Sequence, residues 1–447
     1  MNRETAEPVV ETMPGPKANR RSSFHREHAA TTTYVYDFVW DVTEPAIGPF
    51  CTDVDGNVLL DFTSHVGAAP LGYNNPTLLD RMSEFDLVDP LKIAGQDFYT
   101  AAGDPDDVEF PGPAELMERI VDVSPDGMDT VFLSNSGAEA VENAIKLCYD
   151  DTRGQYGFTF RGAFHGRTLG ALSLNRSKSV QRRDFPEVAG IHDVPFCTDR
   201  GCDAASCSCG FFTDTSSQLR EMLHPKRGSV DADEVAYLII EPIQGEGGYR
   251  FPSEAFTGEV ADVCAEYGIH LVADEIQSGL GRTGSFWATD DSPLDPDVIT
   301  AAKGLRVGAT VANEDVFPDE RGRLSSTWGA GDLIATLQGT LTVDTILDEG
   351  LMANARTRGE QALTALHEQS LPGVTDIRGR GLMLAIEFDD PSRRDAVVER
   401  AMQQGLLTLG CGHKSLRLLP PLDVREREIR MGCEMLSSAV RHVANRT

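Results

Sequence analysis

From about residue 112 onward, the apolar positions fall into short continuous runs divided by longer stretches of helical spacing. "PAELMERIVDVS" places its apolar residues on one helical face, and "DTVFLS" (129–134) is a short strand stopped at Asn135-Ser136-Gly137. "AEAVENAIKLCYDDT" then begins a helix, and "YGFTFRG" is a second strand. "VAYLIIEPI" (235–243), "GIHLVADEI" (268–276) and "DVITAAKGL" (297–305) follow, separated by helix-length segments. Strands that are apolar throughout are buried on both faces, so the pattern predicts an α/β fold with a mostly parallel sheet between helices. In such sheets, functional residues gather just past the carboxyl ends of the strands.

The two ends of the chain read differently. "FCTDVDGNVLLDFTS" (50–64) is a hairpin signal, with Asp55-Gly56-Asn57 between two alternating runs. After about residue 330 a long helical stretch leads into "VTDIRGRGLMLAIEFDD", a further helix and "GLLTLGCGHKSLRLLPPL". Together the ends predict a smaller α+β domain. The expected division is a flexible tail over 1–30, small domain over 31–85 and 346–447, and a large domain over 86–345.

Three strand ends carry notable chemistry. Ser136, Gly137 and Ala138 sit at a strand-to-helix turn, where free N–H groups and the helix dipole make a seat for a phosphate. Read alone, that turn is an ordinary helix N-cap. Asp274 ends an apolar strand, where a lone buried Asp caps a helix or meets an arginine. Lys303 ends the next strand, where a lysine snorkels to the surface. Taken together they describe one chemistry. A phosphate cup, an acid and a lysine at neighbouring strand ends are what pyridoxal phosphate requires: a lysine for the Schiff base, a carboxylate for the ring nitrogen, a cup for the phosphate. A pyridinium partner also explains how Asp274 stays ionised away from water.

In these residues the chain resembles the class III (ornithine/4-aminobutyrate type) aminotransferases of pyridoxal-phosphate fold type I, from about residue 35 to the C-terminus. The likeness rests on "SNSGAEAVENAIKL", "GAFHGRTLGALSL", "EPIQGEGGY", "ADEIQSGLGRTG" followed by Lys303, "STWG" and "RLLPPL". The segment "LLTLGCGHKSLRLLPPL" is most similar to archaeal members, which include ω-aminotransferases and racemases. "RLSSTWGAGD" and the clipped lysine loop are closer to lysine 6-aminotransferases. The resemblance implies that Ser136, Gly137 and Ala138 hold the phosphate and that Thr327 reaches the phosphate of a partner subunit in a homodimer. It implies that Phe164 and Ile276 pack the two faces of the ring, with His165 beside it. Asp274 is expected on the ring nitrogen and Gln277 on the phenolic oxygen. Lys303 is expected as the catalytic lysine. For substrate it implies Arg417 on an α-carboxylate, Glu246 as a gate that pairs with Arg417, Glu241 as a further polar contact, and Arg167 on a distal carboxylate.

One departure stands out. Relatives follow the lysine with a run of the form A-K-x-L-G-G-G-x-P-x-G-A, whereas this chain reads "AAKGLRVGATVA", about three residues shorter, with Arg306 where small residues are usual. The expected activity is a ping-pong transfer from an ω-amino acid (4-aminobutyrate, ornithine or lysine) to 2-oxoglutarate. The alternative is a racemase on the same scaffold, using Lys303 on one face; a non-catalytic fold relative is a third reading.

Composition then narrows the setting. The 447 residues hold 70 acidic against 40 basic side chains, a formal charge of −30, which disfavours nucleic acid and anionic membranes as partners. Lysine is confined to Lys17, Lys92, Lys146, Lys178, Lys226, Lys303 and Lys414, so nearly all positive charge is arginine. Such a surface resembles proteins of salt-loving archaea. No run approaches a membrane span, and the N-terminus lacks the apolar core of a signal peptide, so a cytoplasmic protein is expected. Four of the nine cysteines, Cys197, Cys202, Cys207 and Cys209, fall in "CTDRGCDAASCSCG". Zinc or an iron–sulfur cluster is one reading of C-x4-C-x4-C-x-C. The spacing is not that of a standard ribbon or finger, and a cysteine-rich insertion without metal is the expectation here.

Overall fold

The computed structural model describes residues 1–32, 36, 38–85, 101–198, 201–327 and 330–446. Trp328 and Gly329 of the "STWG" motif lie outside them. The chain forms two compact units, one of residues 80–352 and the other of 1–79 together with 353–447. The expected boundaries were 85/86 and 345/346.

The larger unit is built on a seven-stranded sheet. Its spatial order is Thr130–Ser134, Gly308–Ala312, Val298–Ala301, His270–Asp274, Val235–Ile240, Tyr156–Phe160 and Ile191–Val194. All neighbours run parallel except Gly308–Ala312, which is antiparallel to both strands beside it. All six residues of Val235–Ile240 are buried, as expected for a strand covered on both faces. The helix Gly137–Thr152 lays Val141, Ala144, Ile145 and Cys148 onto this sheet, against Tyr237, Ile239 and Val272. These side chains recur at three- and four-residue spacing, so one helical stripe meets the strands.

The smaller unit holds the hairpin Phe50–Thr52 and Val58–Asp61, with Leu406–Leu407 added parallel to its second strand. A separate four-stranded antiparallel sheet runs Val374–Arg380, Met383–Phe388, Ser415–Leu418 and Leu409–Cys411. The helix Glu426–Ala444 buries Ile429, Cys433, Leu436, Val440 and Val443 on one stripe.

Residues 1–30 differ from the flexible tail the sequence suggested. The buried Arg3 guanidinium donates to Glu428 Oε1 at 2.7 Å and to Asp423 Oδ2 at 2.6 Å, and Val9 bridges to Val58. Pro16–His28 is a helix whose first turn is capped by Asp55, which accepts from the N–H groups of Lys17 and Ala18. The segment is largely polar, which concealed its attachment: charge-assisted hydrogen bonds and a cap hold it, together with Met13 packed against Leu59 and Tyr73.

Candidate active site

Five parallel or flanking strands of the larger unit end in the residues that the sequence singled out. Past Thr130–Ser134, Ser136 caps the helix Gly137–Thr152: its hydroxyl accepts from Glu139 N–H at 3.2 Å. The Gly137 and Ala138 N–H groups, in the first turn, have no intrahelical acceptor, and the dipole favours an anion there. The cup is lined by backbone. A Cβ at Gly166 would stand 2.7 Å from Ala138 Cβ, and one at Gly308 would stand 2.2 Å from the Ser136 carbonyl oxygen. Only glycine fits either place.

Asp274 ends its strand at 5% exposure. Its Oδ2 accepts from the His165 ring, Nδ1 lying 2.7 Å away, and its Oδ1 accepts from Ile276 N–H at 3.1 Å. Donation from Nδ1 to an ionised carboxylate leaves His165 Nε2 facing the other way, buried and without a partner among the described residues. The neighbouring Glu275 has a different task. Fully buried, it accepts from Ser278 Oγ and from Thr289 N–H and Oγ1, pinning the segment near Trp287 to the strand end. Burial pushes its carboxyl up. Adjacent residues on a strand point to opposite faces, so one carboxylate of the pair serves the site and the other the scaffold.

Past Tyr156–Phe160, His165 is held by a residue the sequence reading did not single out. Asn175, fully buried, accepts from His165 N–H at 2.6 Å and donates to the Gly166 carbonyl at 2.7 Å. It lies one residue past "GAFHGRTLGALSL", and its residue type alone gave no signal of this task. Glu241, directly after Val235–Ile240, accepts from Phe164 N–H at 2.9 Å and Gly245 N–H at 2.8 Å. It therefore fixes the loops carrying Phe164 and Glu246. Burial pushes its carboxyl up to about 7, with nearby Asp274 adding to the effect and His165 opposing it. Gln277 packs beside Gly245, and its buried Oε1 has no partner among the described residues.

Lys303 stands one residue after Ala302, in a single turn, Lys303–Leu305, that joins Val298–Ala301 to Gly308–Ala312. Its φ of +51° is left-handed, as is the +65° of exposed Arg306, which closes the turn by donating to the Lys303 carbonyl at 3.0 Å. The shortened loop is thus one tight turn, and non-glycine residues in this region carry strain that clusters at functional sites.

The remaining expected residues are placed as follows. Thr327 is exposed, its carbonyl 3.4 Å from the Asn135 amide of its own chain. Exposed Arg167 lies 6.0 Å over the Phe164 ring. Glu246 pairs with Lys178 at 3.4 Å. Arg417 belongs to the other unit, at 5% exposure on Ser415–Leu418, paired in register with Ala385 and Leu409.

The set fits pyridoxal phosphate. An ionised carboxylate has about four acceptor positions, and Asp274 uses two on the protein. The buried polar atoms of His165 and Gln277 and the side-chain-free cup suit a ring with a polar rim and a phosphate.

The chain as a whole is similar to known proteins. The model of the family described as "Aminotransferase class-III" matches residues 35–440. An acetylornithine aminotransferase from Methanopyrus kandleri is 32% identical over 402 residues, covering 89% of this chain and 93% of that protein. One from Thermosynechococcus vestitus is 33% identical, with 88% and 90% covered. Among solved structures, a lysine aminotransferase from M. tuberculosis superposes with a TM-score of 0.80 at 28% identity, over 97% of this chain and 100% of that one. An ornithine aminotransferase from Toxoplasma gondii, 23% identical over 96% and 95% of the two chains, shares the fold with a TM-score of 0.78.

Proposed function

The chain belongs to the class III aminotransferases, enzymes that use pyridoxal phosphate, and from that premise we propose that it moves the terminal amino group of an ornithine- or lysine-like amino acid to 2-oxoglutarate. The amino donors named for its relatives support the basic side chain. They give no support to a racemase. The observation that carries the reading is Asp274, a nearly buried carboxylate held by the His165 ring at the end of a central strand.

Bound pyridoxal phosphate supplies an electron sink for the pair released when a proton leaves the substrate carbon. The protein does the rest. Gly137 and Ala138 offer N–H groups to the phosphate, with Ser136 alongside. Asp274 keeps the ring nitrogen protonated, and His165 and Ile276 N–H fix the direction of its carboxylate. Phe164 and Ile276 would pack the cofactor ring, and Gln277 would bond its phenolic oxygen. Lys303 would hold the cofactor through its amine, and the same amine would serve as the base that moves a proton at the substrate carbon. For the substrate α-carboxylate we assign Arg417, whose planar fork matches it bidentately. Glu246 exchanges between Lys178 and that arginine as the substrate changes, and Arg167 serves the distal carboxylate. Exposed Thr327 is assigned to a partner's phosphate, which makes the working enzyme a homodimer. The acidic surface is assigned to a salt-rich cytoplasm.

The test is a half-reaction. The purified enzyme is mixed with ornithine, lysine, N-acetylornithine or 4-aminobutyrate, without keto acid, and the visible cofactor band is followed. Bleaching by one donor and recovery on adding 2-oxoglutarate are expected. Recovery without keto acid, with decay of optical rotation, would instead mean a racemase. Lys303→Ala should lose roughly 10²–10⁴ in rate or more, through the missing proton carrier.

A further inference from the structure

The chemistry above leaves four thiols of the larger unit unused. Cys197 and Cys202 are buried at 0% and 2% exposure, and Cys207 and Cys209 are half-buried. The sulfurs of Cys197, Cys202 and Cys209 all lie within 4.8 Å of one another. Cys202 Sγ stands 3.8 Å from Cys209 Sγ, and Cys207 Sγ stands 3.3 Å from Cys209 Sγ. Cys207 Sγ also accepts the Phe212 N–H at 3.4 Å.

A buried cysteine alone packs as a small apolar group. Four that converge from irregularly spaced positions are a different matter. In a tetrahedral zinc thiolate site, Zn–S bonds near 2.3 Å put the sulfurs about 3.8 Å apart. The 3.8 Å separation matches that edge; Cys197, Cys202 and Cys209 form the compact group, and Cys207 joins it through Cys209 at 3.3 Å. In an iron–sulfur cluster, thiolates on different irons stand farther apart than those on one ion, so a compact group of sulfurs favours one ion over a cluster. A backbone N–H directed at a sulfur is the kind of outer contact that stabilises a bound thiolate.

We propose that Cys197, Cys202, Cys207 and Cys209 bind one structural Zn²⁺ ion. The loop follows the sheet's outermost strand, Ile191–Val194, and its cysteines pack among Phe196, Phe211 and Phe256. Ser253, the N-cap of the helix Glu254–Tyr267, donates to Cys197 Sγ at 3.8 Å. The ion therefore fastens an irregular loop to the start of that helix, directly after the segment that carries Glu241 and Glu246. Such a site departs from the metal-free expectation read from the cysteine spacing.

Elemental analysis of the holoenzyme, purified without chelator, should give about one zinc per chain. The double variant Cys202→Ser/Cys209→Ser should lose the metal and melt at lower temperature while keeping the visible cofactor band. Exchange of the wild-type metal for Co²⁺ should produce the visible d–d and thiolate charge-transfer bands of a tetrahedral site, which decides the matter even if the variant does not fold. Zinc near zero with four freely titrating thiols, iron in place of zinc, zinc retained by the double variant, or octahedral cobalt bands would each overturn the proposal.

Discussion

Glu241 shows how one side chain couples scaffold to chemistry. It accepts from two loops at once, through Phe164 and Gly245 N–H, and burial pushes its carboxyl from an ordinary 4.5 up to about 7. The folded chain therefore binds more protons than the unfolded chain between those two values. Stability from this group is full at the acid end of the window and falls as pH rises through about 7, by an amount on the order of 3 kcal/mol. Glu241→Gln cannot titrate, and it turns an amide NH2 toward one of the two backbone donors, so it should be less stable than wild type at low pH. Its deficit should shrink as pH rises across the window; a gap in melting temperature that does not change with pH would refute the assignment. At this scale the sequence was readable for placement, since the apolar runs before Asp274 and Lys303 put both at the ends of neighbouring strands. It was silent where the task comes from a folded contact. Nothing in "LSLN" says that Asn175 will hold both His165 and Gly166.

Among the elements, the reversed strand Gly308–Ala312 has the largest bearing on the site. It inserts between Thr130–Ser134 and Val298–Ala301, so the phosphate cup and the lysine turn flank one strand. Gly308→Ala would set a Cβ 2.2 Å from the Ser136 carbonyl oxygen and push the strand off the cup. A loss of about 1–3 kcal/mol in denaturant unfolding is expected, as for other overpacked sites. Faster cofactor dissociation should accompany it; unchanged cofactor affinity would count against the contact. The long apolar runs gave the parallel strands directly, because burial on both faces leaves a continuous signal. The strands Gly308–Ala312 and Ile191–Val194 were not predicted. "GATVA" is short and made largely of small residues, and "IHDV" carries polar positions on the sheet's outer edge. The N-terminal arm was missed for a related reason, since Arg3 is buried by ion pairs that no periodicity records.

For the molecule as a whole, a formal charge of −30 puts repulsion between carboxylates against the compact state. Screening shortens its reach from about 10 Å at ~0.1 M salt to about 3 Å at ~1 M. The melting temperature should therefore rise by roughly 10 °C or more between ~0.1 M and ~2 M KCl. A flat or falling curve would remove the assignment to a salt-rich cytoplasm. The division of the chain has a separate consequence, for the order in which it can be made. Residues 80–352 are continuous and can close as soon as they leave the ribosome, whereas the smaller unit draws on 1–79 and 353–447. Its hairpin at Phe50–Asp61 acquires its third strand only from Leu406–Leu407, and Arg3 waits for Asp423 and Glu428. At ordinary translation speeds the first 79 residues spend about 20–70 s without their partners. That is the interval in which a nascent chain of this design is most exposed to proteases and most in need of a chaperone.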